Sequence, residues 1–168
     1  MITHVKGRLI EKNPAYVVID LNGLGYLLRI SLHTYSQIGD SESCMLYTHL
    51  SIKEDAHTLF GFAEREEREL FRHLISVSGV GPNTAQMILS SLSPVDAQQA
   101  ILAENVLLLK SVKGIGGKTA QRIIIDLKDK LAKEQKRIFL RQIFIISKYL
   151  FFTYSPTDFF DVFFKKNF

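Results

Sequence analysis

The chain has 168 residues, 46% of them hydrophobic and 23% charged, which is enough apolar material for a packed core in one domain or two small ones, with no uninterrupted apolar run near the ~18 residues of a membrane span. The single cysteine, Cys44, excludes an internal disulfide and any multi-cysteine metal or iron–sulfur site and, with an N-terminus lacking a signal-peptide core, fits a cytoplasmic protein. The net charge of +4 is unevenly spread: residues 1–63 carry 5 basic and 6 acidic side chains, 64–136 carry 11 and 9, and 137–168 carry 5 and 2, so bulk charge is no argument for nucleic-acid binding by the body of the chain.

Residues 1–63 read as β structure. Apolar and β-branched runs at Val5–Ile10, Tyr16–Leu21, Tyr26–Ile30, Cys44–Leu50 and Thr58–Phe62 are separated by turn chemistry at Asn13-Pro14, Asn22-Gly23 and Gly39-Asp40. Five short strands suggest a small barrel, of the OB-fold or the SH3-like kind. Lys6 and Arg8 lie two apart on the first strand and leave the same face, either as a phosphate-facing surface or as a solvated exterior. The connection Ser51-Ile-Lys-Glu-Asp-Ala56 puts Glu54 and Asp55 side by side at a hairpin tip, ordinarily a solvated turn.

After Phe62 the apolar period changes from 2 to 3.6, and Glu64-Arg-Glu-Glu-Arg-Glu-Leu-Phe opens an amphipathic helix with Leu70, Phe71 and Leu74 inward. Within 64–136, five helices are expected, the longest from Thr119 to about Lys133. This region contains a repeat: Leu74 to Leu89 reappears as Leu109 to Ile124, with nine of sixteen positions identical. Each copy reads as a helix end, a Gly-hydrophobic-Gly turn and a helix opening on Thr-Ala-Gln, the pattern of a helix-hairpin-helix. Residues 137–168 differ in character, holding nine of the twelve phenylalanines. Ile138–Phe152 could be helix or strand, and the Phe-Phe pairs beyond show no period. An out-of-frame translation of AT-rich DNA and a tail packed on a partner both fit this composition.

The duplicated turn suggests a chemistry. Glycines allow backbone conformations closed to other residues and close approach of a phosphate, while the following helix offers unsatisfied N–H groups and a positive dipole end. The candidate contacts are Gly79, Val80, Gly81, Asn83 and Thr84 in the first copy and Gly114, Ile115, Gly116, Gly117, Lys118 and Thr119 in the second. Arg122, one turn after Lys118 on the same face, adds a second cation. The matching residues of the first copy are Asn83 and Met87, so that hairpin is expected to bind through backbone alone. Main-chain donors meet no base edge, so such contacts hold DNA without reading its sequence. A helix-hairpin-helix DNA glycosylase is a rival, since Lys118 stands where those enzymes keep a hairpin lysine. Its catalytic aspartate is missing from Lys133-Glu-Gln-Lys-Arg137, however. His4, His33, His49, His57 and His73 show no metal-ligand spacing, and no P-loop is present. A generic OB and helix-hairpin-helix binding module is the other alternative.

The ordered combination of a barrel starting near Val5-Lys-Gly-Arg-Leu, the stretch from Tyr47 to Phe62, and the paired Gly-Val-Gly-Pro and Gly-Ile-Gly-Gly-Lys-Thr-Ala turns resembles the RuvA family over residues 1 to about 135. The resemblance implies an α+β chain, with an OB-fold barrel over 1–63 and tandem helix-hairpin-helices over 64–136, from which the atypical segment 137–168 departs. It implies a homotetramer that holds a four-way Holliday junction open for ATP-fuelled RuvB motors in recombination and repair, with the RuvC resolvase as a further partner. No cofactor or catalytic site of its own is implied. It also makes Glu54 and Asp55 an acidic pin at the crossover. Nothing after Lys136 resembles the linker and small helical domain that contact RuvB, so junction binding without motor stimulation is expected.

Overall fold

Strand β1 (His4–Asn13) pairs with both β2 (Tyr16–Leu21) and β4 (Ser43–Ile52), and β3 (Leu24–Arg29) joins β2 to β5 (His57–Phe62), closing a five-stranded barrel in the order β1-β2-β3-β5-β4. The computed structural model describes residues 2–39 and 42–153, with side chains to residue 146. All strand pairs are antiparallel except β3–β5, where Leu28 and Arg29 run parallel to Leu59 and Phe60. This strand order, with a helix between the third and fourth strands, selects the OB-fold over an SH3-like barrel.

Val5, Val17, Ile19, Leu28, Ile30, Ile38, Leu46 and Leu59 fill the barrel, as period-2 alternation requires. β1 runs three residues beyond its expected end at Ile10, because a bulge between Leu9 and Glu11 shifts the pairing with β2. The turn after it is stabilised by Asn13 Oδ1, which accepts the Ala15 N–H at 3.0 Å. At the next turn both Asn22 and Gly23 have positive φ, 52° and 95°, the conformation a two-residue hairpin needs. Asp40 of the expected Gly39-Asp40 turn lies outside the described residues.

A short helix that the sequence pattern did not indicate, α1 (Leu32–Gln37), is capped by Ser31, whose Oγ accepts the Thr34 N–H at 2.9 Å. The barrel then leads into α2 (Arg65–Ile75), α3 (Pro82–Ser91), α4 (Pro94–Leu102), α5 (Val106–Ser111) and α6 (Gly117–Thr153). α6 is longer than the helix expected to end near Lys133, and it resolves the helix-or-strand ambiguity of 138–152. No glycine or proline interrupts the chain between Lys118 and Ser155, so its backbone ladder continues.

The described residues divide into two units, one up to Lys128 and a second from Asp129 onward. In the second, Ile138, Phe139, Leu140 and Ile143–Ile146 are exposed on α6, while 154–168, with the later Phe-Phe pairs, lie outside the described residues. No helix among the described residues is long and apolar enough to cross a membrane.

In the first unit α2 docks on the barrel through Phe71, whose ring lies 5.1 Å from Phe60, 4.9 Å from Phe62 and 5.4 Å from His49. Beside these rings Glu67 is fully buried and accepts hydrogen bonds from the Ser31 hydroxyl and, at 2.6 Å, from the Thr34 hydroxyl. Burial pushes its carboxyl above the usual range, and the two hydroxyls only partly offset that effect.

Candidate nucleic-acid interface

Both hairpins are built alike from the repeat upward. In the first, the Val80 N–H donates to the Val77 carbonyl at 3.0 Å, and in the second the Ile115 N–H donates to the Val112 carbonyl at 3.1 Å. Each turn passes through a glycine of positive φ, Gly79 at 86° and Gly114 at 85°, where a side chain would be strained. Val80 and Ile115 are buried and their N–H groups are already bonded, so these two residues build the turns and have no donor left for a ligand. Val77 and Val112, Ala85 and Ala120, and Ile88 and Ile123 occupy matching core positions.

The open donors come next in the chain. Gly81 is the N-cap of α3 and has no side-chain cap, Pro82 fills the first turn, and the Ala85 N–H returns to the Gly81 carbonyl at 3.0 Å, matched by Ala120 to Gly116 at 3.0 Å. Nothing lies within 4 Å of where a Cβ would stand on Gly81 or Gly116, and both are exposed. Internal packing therefore does not require glycine there, and the missing side chain leaves room for an external group. Asn83 and Lys118 are exposed and Thr84, Gly117 and Thr119 half-buried at the two helix starts.

The structure redistributes the cations. Arg122 Nη1 donates to the Ser78 carbonyl at 3.1 Å and stands 3.6 Å from the Cβ site of Gly79, so this α6 side chain reaches the first hairpin. The relation is reciprocal: the Cε of Met87, the α3 residue at the same repeat position, stands 3.6 Å from the Cβ site of Gly114. Each hairpin turn is covered by a side chain from the other copy. Arg29 of β3 also joins the first hairpin, donating to Asn83 Oδ1 at 3.3 Å. The first hairpin, expected to lack side-chain cations, thus has two beside it.

At the second hairpin, exposed Lys113 holds the position of Ser78, and the methylenes of Lys110 lie 3.7 Å from the Cβ site of Gly117. Sequence reasoning had overlooked Lys110, Lys113 and Arg29. The two lysines could have been found by comparing charge between the copies, whereas the approach of Arg29 is a long-range contact without a local signal.

Glu54 and Asp55 stand exposed at the β4–β5 tip, which is closed by the Lys53 N–H donating to the Ala56 carbonyl at 2.9 Å. Lys6 and Arg8 are exposed on β1, with Arg8 3.8 Å from Asp20. Among the described residues no His, Cys, Asp and Glu side chains cluster as a metal site would require.

A family profile described as the RuvA N-terminal domain matches residues 1–61, and one described as a SAM-like helix-hairpin-helix tandem matches residues 71–129. The protein of Christiangramia forsetii named Holliday junction branch migration complex subunit RuvA is 65% identical over 133 residues, which are 79% of this chain and 69% of that protein. The chain belongs to the RuvA family. The RuvA proteins of Cytophaga hutchinsonii and Bacteroides fragilis, bearing the same name, are 54% identical over 134 residues and 59% over 131. These matches span 80% of this chain and 67% of the first protein, and 78% of this chain and 65% of the second. The RuvA barrel and hairpin tandem thus account for the elements that carry the open helix starts and the acidic tip.

Proposed function

We propose that this chain binds four-way Holliday junction DNA, without regard to base sequence, as the non-motor subunit of a branch migration complex in recombination and repair. The observation that carries the reading is the pair of matched hairpins, each ending in a glycine N-cap with open space before it. Main-chain N–H groups at Gly81, Asn83 and Thr84, and at Gly116, Gly117, Lys118 and Thr119, hold phosphate oxygens, and the helix dipoles of α3 and α6 favour the same negative charge. Lys118, Arg122 and Arg29 add salt-dependent attraction.

Phosphate contacts of this kind suit any duplex. Preference for a junction therefore comes from the arrangement of several chains, in this reading a homotetramer, and from Glu54 and Asp55. Carboxylates at the crossover repel backbone phosphates, weakening the hold on uninterrupted duplex and keeping separating strands apart. The chain contributes no catalytic group and no cofactor in this scheme. Any ATP is consumed by a separate RuvB motor, whose recruitment by this chain is set against the unlike residues after Lys136, and a RuvC resolvase is a further candidate for the same junction.

Competition between a synthetic four-way junction and linear duplex of the same sequence at physiological salt tests the reading, together with the particle mass with and without junction. Strong preference for the junction and a multiple of four chains per junction are expected. Equal affinity for the two DNAs would overturn it. A pull-down with the cognate motor, with and without residues 137–168, tests the RuvB partnership.

A further inference from the structure

Beside α2 lies a cleft of about 370 Å³ whose lining includes Arg65, Arg68 and Arg72 together with Tyr47, His49 and His4. None of these residues belongs to a hairpin or to the acidic tip. The three arginines follow at spacings of three and four, which aligns them on one face of the helix.

The Arg65 and Arg68 guanidiniums both lie over the Tyr47 ring, each 5.4 Å from its centroid. A guanidinium held at a ring face still has N–H groups to offer in the fork that oxyanions accept. Arg68 is braced by donating to the Thr3 carbonyl and to Glu69 Oε1, both at 3.1 Å, yet its Nε is buried without a partner. Glu69 is the carboxylate paired with Arg68 and, at 3.4 Å, with Arg72, while Arg65 has no ion pair among the described residues. Three guanidiniums facing one carboxylate leave two positive charges over. The surplus field is felt by His49, whose imidazole is held below its usual range by burial and then by Arg72 and Arg68.

We propose that this cleft is a phosphate-binding site, filled by a phosphorylated small molecule or by a phosphate of a nucleic-acid backbone. A phosphate group offers oxygens to more than one fork, the dianion of a monoester matching both surplus charges and the single charge of a backbone diester matching one of them, whereas a single carboxylate would satisfy one fork. The cleft is also larger than one anion needs, with room for the sugar next to the phosphate.

The test uses the whole chain and follows the His49 imidazole by NMR during titration with inorganic phosphate against a chloride control. A bound anion adds negative charge opposite the imidazole, so its pKa should rise with phosphate in the wild type. In the double variant Arg65→Gln, Arg72→Gln that response should require at least ~10-fold more phosphate, while Arg65→Lys, Arg72→Lys should retain part of it. Both arginines are exposed, and unchanged circular dichroism establishes that the variants fold.

A second arm measures junction affinity against salt, and it alone rests on the junction reading. A salt slope lowered in the glutamine variant by roughly 0.9 per lost contact identifies a DNA phosphate. A phosphate response with an unaltered slope identifies a free phosphorylated ligand. The proposal is overturned if inorganic phosphate leaves the wild-type His49 unmoved, or moves wild type and glutamine variant alike. It is equally overturned if the variant instead loses its oligomeric mass, because the arginines would then be receiving a carboxylate from a second copy.

Discussion

Replacing Glu67 by alanine isolates the joint between the barrel and the helices. Ser31 Oγ and Thr34 Oγ1 each already accept a backbone N–H, from Thr34 at 2.9 Å and Ala63 at 3.2 Å, so the carboxyl group serves to accept their two O–H donors. Removing it strands two buried hydroxyls at about 1–3 kcal/mol each, against which stands the relief of no longer burying a carboxylate. A net loss of about 2–3 kcal/mol is expected at pH 5. Because burial raises the folded pKa, the native chain holds the Glu67 proton more tightly than the unfolded chain. The stability this lends is fully present below the ordinary value of 4.5 and is lost as pH rises through the raised value, by at most about 1.4 kcal/mol per pH unit.

Urea denaturation of wild type, Glu67→Ala and Glu67→Gln between pH 5 and pH 8 measures both effects. Glutamine keeps the shape without titrating, so the difference between wild type and Glu67→Gln should move in favour of glutamine as pH rises. The reasoning fails if Glu67→Ala costs less than about 0.5 kcal/mol at pH 5, or if wild type gains on Glu67→Gln with increasing pH.

At the first hairpin, Gly81→Ala should leave thermal stability equal or slightly higher, because nothing opposes the added methyl, yet weaken junction binding several-fold in a fluorescence anisotropy titration. Gly79→Ala, at positive φ, should instead cost about 1–2 kcal/mol of stability in urea. Arg122→Met gives α6 the residue that α3 carries at that position. It should cost under about 1 kcal/mol in urea and lower the salt slope of junction binding, whereas an unchanged slope would remove Arg122 from the interface. Glu54→Gln combined with Asp55→Asn should tighten binding to linear duplex in gel-shift competition and alter branch migration, and no change in either would falsify the pin assignment.

The repeat could be read in the sequence because both copies need the same things at the same places: a positive-φ glycine, a buried alanine, and paired β-branched or leucine residues. Period-2 alternation likewise located the five strands. What escaped notice depended on contacts that no local window contains. The bulge after Leu9 hid the end of β1, and the six residues of α1 were too few to show a helical period. The crossing of Arg122 and Met87 between copies followed from the packing of α3 and α6 and not from any pattern within either. Glu67 sits in a run of charged residues with no local sign of burial, and Ser31 and Thr34, more than thirty positions earlier, provide the donors that let it be buried.

The exchange of Met87 and Arg122 between hairpins bears on how such a tandem can be inherited or engineered. A single copy cut out and grafted elsewhere would keep its glycines but expose the turn that its twin covers, one losing a thioether at Gly114 and the other a guanidinium at Ser78. The two copies are therefore a pair in which neither half is a transferable part. Because the two coverings differ in charge, divergence at positions 87 and 122 is constrained jointly, with a change in one copy felt at the turn of the other.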